Sequence, residues 1–299
     1  MEEKRTLRPS PTALLNPRLD VNFKAIFTQE TKESYTALQS FLSSALNRNI
    51  EKLSLTTNEP PVDTPSQMQM SFDVAVTFED GEKASIEMQG RDREYNYSVR
   101  SEIQVARLLN NNAKKGSNWS AEKVYQISVL NFHPLNDDKY EVAWYNMRNQ
   151  NGQELAGYLN VIFIDLLEIK KLIGTPVEKL TPIQKWGLFL SYADDETQSK
   201  YIRNLSKSEK GIMEAELIIG HMSEEESNWF RQNSIDTFWR DLNSEREAVL
   251  ERGIQQGIKQ GEHQKSLDAA KNLYKNGVSV EIIAKSLNIP LEEVQNIVS

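Results

Sequence analysis

The sequence predicts an α/β fold, a mixed sheet flanked by helices, with a helical region after it. Three observations carry this. Short apolar or alternating runs, such as Val74 to Val76, Ile86 to Met88, Gln126 to Phe132 and Leu159 to Leu166, read as strands. Stretches with helical spacing lie between and after them. Beyond about Ser223 the chain is polar and helical throughout. Mixed strands enclosed by helices are the signature of an α/β core.

The elements follow in order. Residues 1–14, with Pro9 and Pro11, read as a flexible tail, residues 15–222 as the α/β domain, and residues 223–299 as a helical C-terminal region. A first helix runs from about Asp20 towards Asn47, with an interruption near Thr28 to Thr31. The proline-rich connection from Pro60 to Pro65 leads to a hairpin, Ser71 to Gln89. A helix from Arg91 to about Asn110 follows, then the buried strand ending at Phe132. Asp137 to Met147 and Glu154 to Leu166 form two β segments around the turn Asn149 to Gly152. Pro182 opens a helix in which Trp186 is a core residue.

The hairpin holds the most specific signal. Its first strand sets Phe72, Val74 and Val76 against Asp73, Ala75 and Thr77; its second sets Ile86 and Met88 against Glu87 and Gln89. Register decides whether the acids meet, because a one-residue slip sends a side chain to the other face. A two- or four-residue loop leaves Asp73 opposite Met88. A three-residue loop, Glu79-Asp80-Gly81, places glycine where a left-handed residue is needed and pairs Asp73 with Glu87. Directly opposed carboxylates repel unless a cation or proton lies between them, which points to Mg²⁺ or Mn²⁺. The plain alternative is an acidic strand face turned to solvent.

In the next helix Arg93, Tyr97, Arg100, Gln104 and Arg107 fall on one face, and Val99, Ile103 and Ala106 are expected to pack on the sheet. A single-sign stripe beside paired acids suits DNA phosphates, and Lys114 and Lys115 extend it. The alternative is an ordinary charged surface.

Composition narrows the remaining classes. The chain has 299 residues, 38% of them hydrophobic, and a formal net charge of −8. Such a balance argues against a general nucleic-acid coat and requires basic groups to be concentrated at a site. With no cysteine there is no disulfide or zinc-thiolate centre. The three histidines, His133, His221 and His263, lie far apart in sequence, and His133 before Pro134 reads as a loop residue. No apolar run is long enough for a membrane span and no signal-peptide pattern opens the chain, so a cytoplasmic protein without a membrane partner is expected.

Near the C-terminus Gly253, Gly257 and Gly261 recur every fourth residue, with Ile254 and Ile258 beside them. Each glycine costs a helix about 0.8–1 kcal/mol relative to alanine. Close approach of a second helix, giving a homo-oligomer, offsets that cost; a flexible linker is the alternative. From Ser266 onward, Leu267, Ala270, Leu273 and Tyr274, then Ile282, Ile283, Ala284 and Leu287, form a small helix-turn-helix pattern. Its third helix carries Glu292 and Glu293 and no lysine or arginine, which favours packing over base reading.

The pattern of Asp73, a turn, and Glu87-x-Gln89 resembles the active-site hairpin of the PD-(D/E)XK nuclease superfamily. The blocks Leu19 to Phe27, Arg93 to Arg100, Val124 to Phe132, Leu159 to Leu166 and Lys185 to Leu190 appear in the order of its recombination-promoting nuclease (Rpn) family of transposases. The resemblance implies a restriction-endonuclease-like core and a metal-dependent DNA endonuclease linked to recombination or mobile elements. It implies Asp73, Glu87 and the Met88 carbonyl as metal ligands. Gln89 stands where most of the superfamily has lysine, and offers a dipole rather than a charge. Asp20 becomes an auxiliary acid; its other role is a helix N-cap. The rival class is a non-catalytic, DNA-associated or self-assembling protein that keeps the nuclease fold.

Overall fold

The computed structural model describes residues 14–57, 71–90, 96–113, 120–134, 139–221, 254, 257–259 and 261–298. The chain forms two compact units, residues 1–237 and 238–299.

In the first unit, α1 (Asp20–Thr28) and α2 (Lys32–Ala45) precede β1 (Leu53–Leu55), β2 (Val74–Phe78) and β3 (Lys83–Gln89). The helices break at the expected place, where Thr31 turns extended and its hydroxyl accepts the Ser34 N–H to cap α2. Helix α3 (Tyr97–Asn112) leads to β4 (Val124–Leu130), and β5 (Val142–Asn146) and β6 (Leu159–Asp165) complete the strands. Then come α4 (Leu166–Lys170), α5 (Pro182–Tyr192), α6 (Ser199–Ser208) and α7 (Lys210–His221). A capping box between Thr181 and Gln184, with Pro182 in the first turn, starts α5.

The six strands form one mixed sheet in the order β1-β2-β3-β4-β6-β5. β1, β2 and β3 are antiparallel, β3, β4 and β6 are parallel, and β5 is an antiparallel edge. All seven residues of β4 are buried, as expected of a central strand covered on both faces.

One face carries Val74, Val76, Ile86, Met88, Ile127, Val129, Ile162 and Ile164 into the main core with residues of α1, α2, α5, α6 and α7. Phe27, Phe41 and Trp186 interlock there, with ring centroids 5.2 Å apart for Phe27 and Phe41 and 5.5 Å for Phe41 and Trp186. A Cβ on Gly211 would lie 2.2 Å from the Ser40 side chain, so glycine lets α7 approach α2. Trp186 donates its indole N–H to the Ser40 hydroxyl, which satisfies the one polar atom of a fully buried ring.

The other face is covered by α3, but with a different side of that helix from the one expected. Tyr97, Ser101, Gln104, Val105 and Leu108 are buried, whereas Val99 is 48% and Ile103 51% exposed. Ala106 is exposed as well. Apolarity alone puts the triplet on the sheet, but the sheet beneath is polar in part, with Ser85, Gln126 and Ser128 buried in it, and Tyr97 and Gln104 suit that surface. Phe72 also departs from expectation. It lies before β2, off the strand alternation, and joins the α3-side cluster rather than that of Val74.

The second unit contains a helix over residues 261–275 (α8), α9 (Val280–Leu287) and α10 (Leu291–Val298). Ala270, Ile283, Ile289 and Val294 form its core, with Leu267, Leu273, Ala284 and Leu287 packed around them. Gly277 and Asn288, both at positive φ, end α8 and α9. Tyr274 and Ile282, read as core positions, are exposed. Among the described residues no helix is long and apolar enough to cross a membrane.

Candidate active site

The hairpin takes the three-residue turn. Gly81 has φ +87°, its N–H donates to the Phe78 carbonyl, and Phe78 N–H donates to Glu82 O at 2.9 Å. Thr77 pairs with Lys83 and Val74 with Ile86, so the next position brings Asp73 opposite Glu87. Because Phe78 and Glu82 are hydrogen-bonded, alternation makes the Asp73 position a non-hydrogen-bonded one, where Cα atoms approach to about 4.5 Å. The Asp73 carboxylate turns back to accept the Met88 N–H at 2.8 Å. In an extended strand the N–H and C=O of one residue point the same way, so the Met88 carbonyl faces this edge too.

Both acids are enclosed. Glu87 is 1% exposed, and its Oε1 is buried with no hydrogen-bond partner among the described residues. Arg100 approaches Oε2 at 3.4 Å from α3. Burial pushes the Asp73 carboxyl well above the usual carboxylate range, helped by the charges of Glu87 and Asp20 and opposed by Lys24. Burial likewise raises Glu87 to about 7, against the pull of Arg100 and Lys24. Two buried acids beside each other cannot both ionise freely without a compensating cation.

Part of that compensation comes from α1. Lys24 Nζ lies 2.9 Å from Asp20 Oδ1 and 3.3 Å from Asp73 Oδ1. Burial works against its charge, but Asp73 and Asp20 outweigh it and hold its pKa above the usual value. Asp20 therefore belongs to the acid cluster. It is not the N-cap of α1, which is Leu19, without a capping side chain.

The predicted residues separate into groups. Asp20, Asp73, Glu87, the Met88 main chain and Arg100 converge at the end of the β2–β3 hairpin. Gln89, on the same face as Glu87 two residues on, is buried at the end of β3. Arg107 is half-buried further along α3. Tyr97 is corrected from a phosphate contact to a core residue: its hydroxyl reaches Ser128 and its ring packs edge-on against Phe132. Gln104, from the same stripe, is buried too. Arg93, Lys114 and Lys115 lie outside the described residues.

Lys24 is a site residue outside the sequence expectations, although its signal is present: an acid–lysine pair at i, i+4 in the first helix. A cluster at the carboxyl ends of β4 and β6 is a second. His133 Nδ1 lies 2.6 Å from Asp165 Oδ2, and His133 Nε2 lies 3.8 Å from Glu168 Oε1. His133 is thus no free loop residue. Nothing in sequence joins His133 to Asp165, since their meeting depends on β4 and β6 being parallel neighbours. Asn131 and Lys170 are joined at the same edge, Lys170 Nζ donating to Asn131 Oδ1.

The sequence model of the PD-(D/E)XK nuclease family transposases matches residues 17–248. The chain belongs to this family. No curated protein and no solved structure matches it. Membership accounts for the mixed sheet with flanking helices and supports a nuclease or transposase-like role on DNA. PD-(D/E)XK nucleases generally use divalent metals. The donor set at the hairpin fits such an ion: the Asp73 and Glu87 carboxylates and a main-chain carbonyl are all hard oxygen ligands, and Glu87 Oε1 has no hydrogen-bond partner among the described residues.

Proposed function

We propose that this PD-(D/E)XK family member is a Mg²⁺- or Mn²⁺-dependent DNA endonuclease acting in recombination or mobile-element processes. The observation that carries the reading is the Asp73–Glu87 pair, Glu87 buried and Asp73 partly so, with one Glu87 oxygen that has no partner among the described residues. Asp73, Glu87 and the Met88 carbonyl would hold the ion. When bound, it would lower the pKa of a coordinated water and polarise the scissile phosphate.

The chain's own groups do the rest. Lys24 supplies the positive charge that Gln89 cannot, next to Asp73, where it steadies charge gathering on the phosphate. The Gln89 amide orients the attacking water, and Asp20 holds the Lys24 ammonium in place. Arg100 and Arg107 contact flanking phosphates from α3, and Arg93, Lys114 and Lys115, outside the described residues, are further phosphate contacts in this reading. Residues 15–222 would form the nuclease domain, and the helices of 223–299 would pair two copies in the cytoplasm so that each core meets one strand. Open space around Gly257 and Gly261 supports the pairing.

One observation favours a second reading. Lys24 already neutralises Asp20 and Asp73, so the fold would persist with its chemistry lost, as a DNA-associated or self-assembling protein. Incubation with supercoiled plasmid in Mg²⁺, Mn²⁺ or EDTA, beside Asp73→Ala and Glu87→Ala, separates the two. Metal-dependent nicking lost in both variants supports the endonuclease. Nicking that persists in both, or none from the parent with either metal, rejects it.

A further inference from the structure

We infer that His133 and Glu168, backed by Asp165, form a separate binding site for a Zn²⁺-class divalent cation. Asp165 ends β6 and caps α4, its Oδ1 accepting the N–H groups of Leu167 and Glu168. The cap places Glu168 one turn into α4 and leaves Asp165 Oδ2 for His133 Nδ1 at 2.6 Å. A carboxylate oxygen only accepts, so Nδ1 carries the ring proton, and in the neutral ring Nε2 presents a lone pair. That lone pair faces Glu168 Oε1 at 3.8 Å, too far for a hydrogen bond.

Glu168 Oε1 is itself buried and has no hydrogen-bond partner among the described residues, while Lys171 engages the other oxygen. With the ring neutral, two electron-pair donors thus face a gap into which no described residue donates. Tetrahedral zinc with bonds of about 2.0–2.2 Å to nitrogen and oxygen sets those atoms about 3.4 Å apart. Closing the gap by a few tenths of an ångström suffices. A carboxylate holding the far nitrogen of a ligating histidine is the usual backing for such a ligand, because it fixes the tautomer and the ring plane. His133 is one-third exposed, so the remaining coordination positions open to water or a phosphate oxygen.

This site is distinct from the hairpin. Gln89 is level with Leu130 on β4, and Leu130 with Asp165 on β6. Two strand spacings put those ends about 10 Å apart, whereas the ions of a two-metal centre sit about 3.5–4 Å apart. The imidazole nitrogen also changes the preference, from Mg²⁺ at the all-oxygen hairpin to a borderline ion here.

The test needs no nuclease activity and stands apart from the endonuclease reading. Metal-stripped full-length protein is titrated with Zn²⁺ by calorimetry and with Co²⁺ by visible absorption, which reports nitrogen and oxygen ligation. With excess Mg²⁺ present to occupy the hairpin, the expected result is one equivalent of Zn²⁺, weakened at least about tenfold in His133→Ala and in Glu168→Gln. Asp73→Ala/Glu87→Ala should retain it. Circular dichroism checks that each variant is folded, and Glu168→Gln preserves side-chain size. Failure of the parent to bind Zn²⁺ overturns the inference. So does binding unchanged in both single variants, or binding abolished by the hairpin double variant.

Discussion

Two acid clusters lie at the same end of the sheet, and they differ in how their charge is met. At the hairpin, Asp73 and Glu87 are buried side by side and meet cations, Lys24 and Arg100, from two helices. At the β4–β6 edge, Asp165 satisfies its lone pairs on the α4 backbone and on His133, leaving one Glu168 oxygen over. The first arrangement raises the carboxyl pKa values, because burial outweighs the cations. The second keeps Glu168 below the usual range, chiefly through Lys171. Acids alone do not define a site; what the fold places opposite them does.

The largest expected effect separates the clusters by chemistry. Asp73→Ala or Glu87→Ala should lower plasmid nicking by roughly 10³-fold, several kcal/mol of transition-state stabilisation. Lys24→Met should come next, with roughly 10²-fold lower nicking, and Lys24→Arg should recover part of it. Equal activity of Lys24→Met and the parent would mean that the ammonium serves only to neutralise Asp20 and Asp73. Gln89→Lys tests the same division of labour: if Lys24 carries the charge, the second lysine should add little.

The pH response follows from the hairpin acids. Glu87, at about 7 in the folded chain against an ordinary 4.5, binds its proton more tightly folded than unfolded. The resulting stability is fully present below the ordinary value and disappears as pH rises through 7, up to about 3 kcal/mol in all. Divalent metal needs the deprotonated pair, so its stabilisation runs the other way. Thermal melting with and without Mg²⁺ should show a larger metal-induced rise in Tm at about pH 8 than at about pH 6. Glu87→Gln should make the metal-free protein more stable near pH 8 and abolish the Mg²⁺ response. A metal response that does not vary with pH would sink this account.

How much of this was legible in the sequence depended on how local the determinant was. The hairpin register was readable because three residues, Glu79 to Gly81, decide it, and only the left-handed Gly81 turn pairs Asp73 with Glu87. The gap between α1 and α2 was readable for the same reason, since Thr31 caps α2 locally. The buried face of α3 was not. Val99, Ile103 and Ala106 satisfy the helical period as well as Tyr97, Val105 and Leu108 do, and the choice is made by the sheet, whose Ser128 offers a partner to the Tyr97 hydroxyl. The His133–Asp165 pair was beyond reach altogether, since 32 residues separate partners that only a parallel β4–β6 pairing brings together.

The smallest expected effect concerns helix α3. Val99 and Ile103 are exposed on α3, so Val99→Lys and Ile103→Lys should change stability by no more than about 0.5 kcal/mol. Val105→Ala, from the buried side, should cost clearly more, about 1–3 kcal/mol, because it opens a cavity against the sheet. The same lysines extend the positive face near Arg100. They should therefore steepen the salt dependence of DNA binding by about one unit of slope each, while Arg100→Ala should reduce it by about one. Stability separates the two faces of α3, and salt dependence separates a DNA-facing surface from a merely exposed one. Lysines that leave both stability and salt slope untouched would show that α3 presents this side to solvent and that DNA approaches from elsewhere.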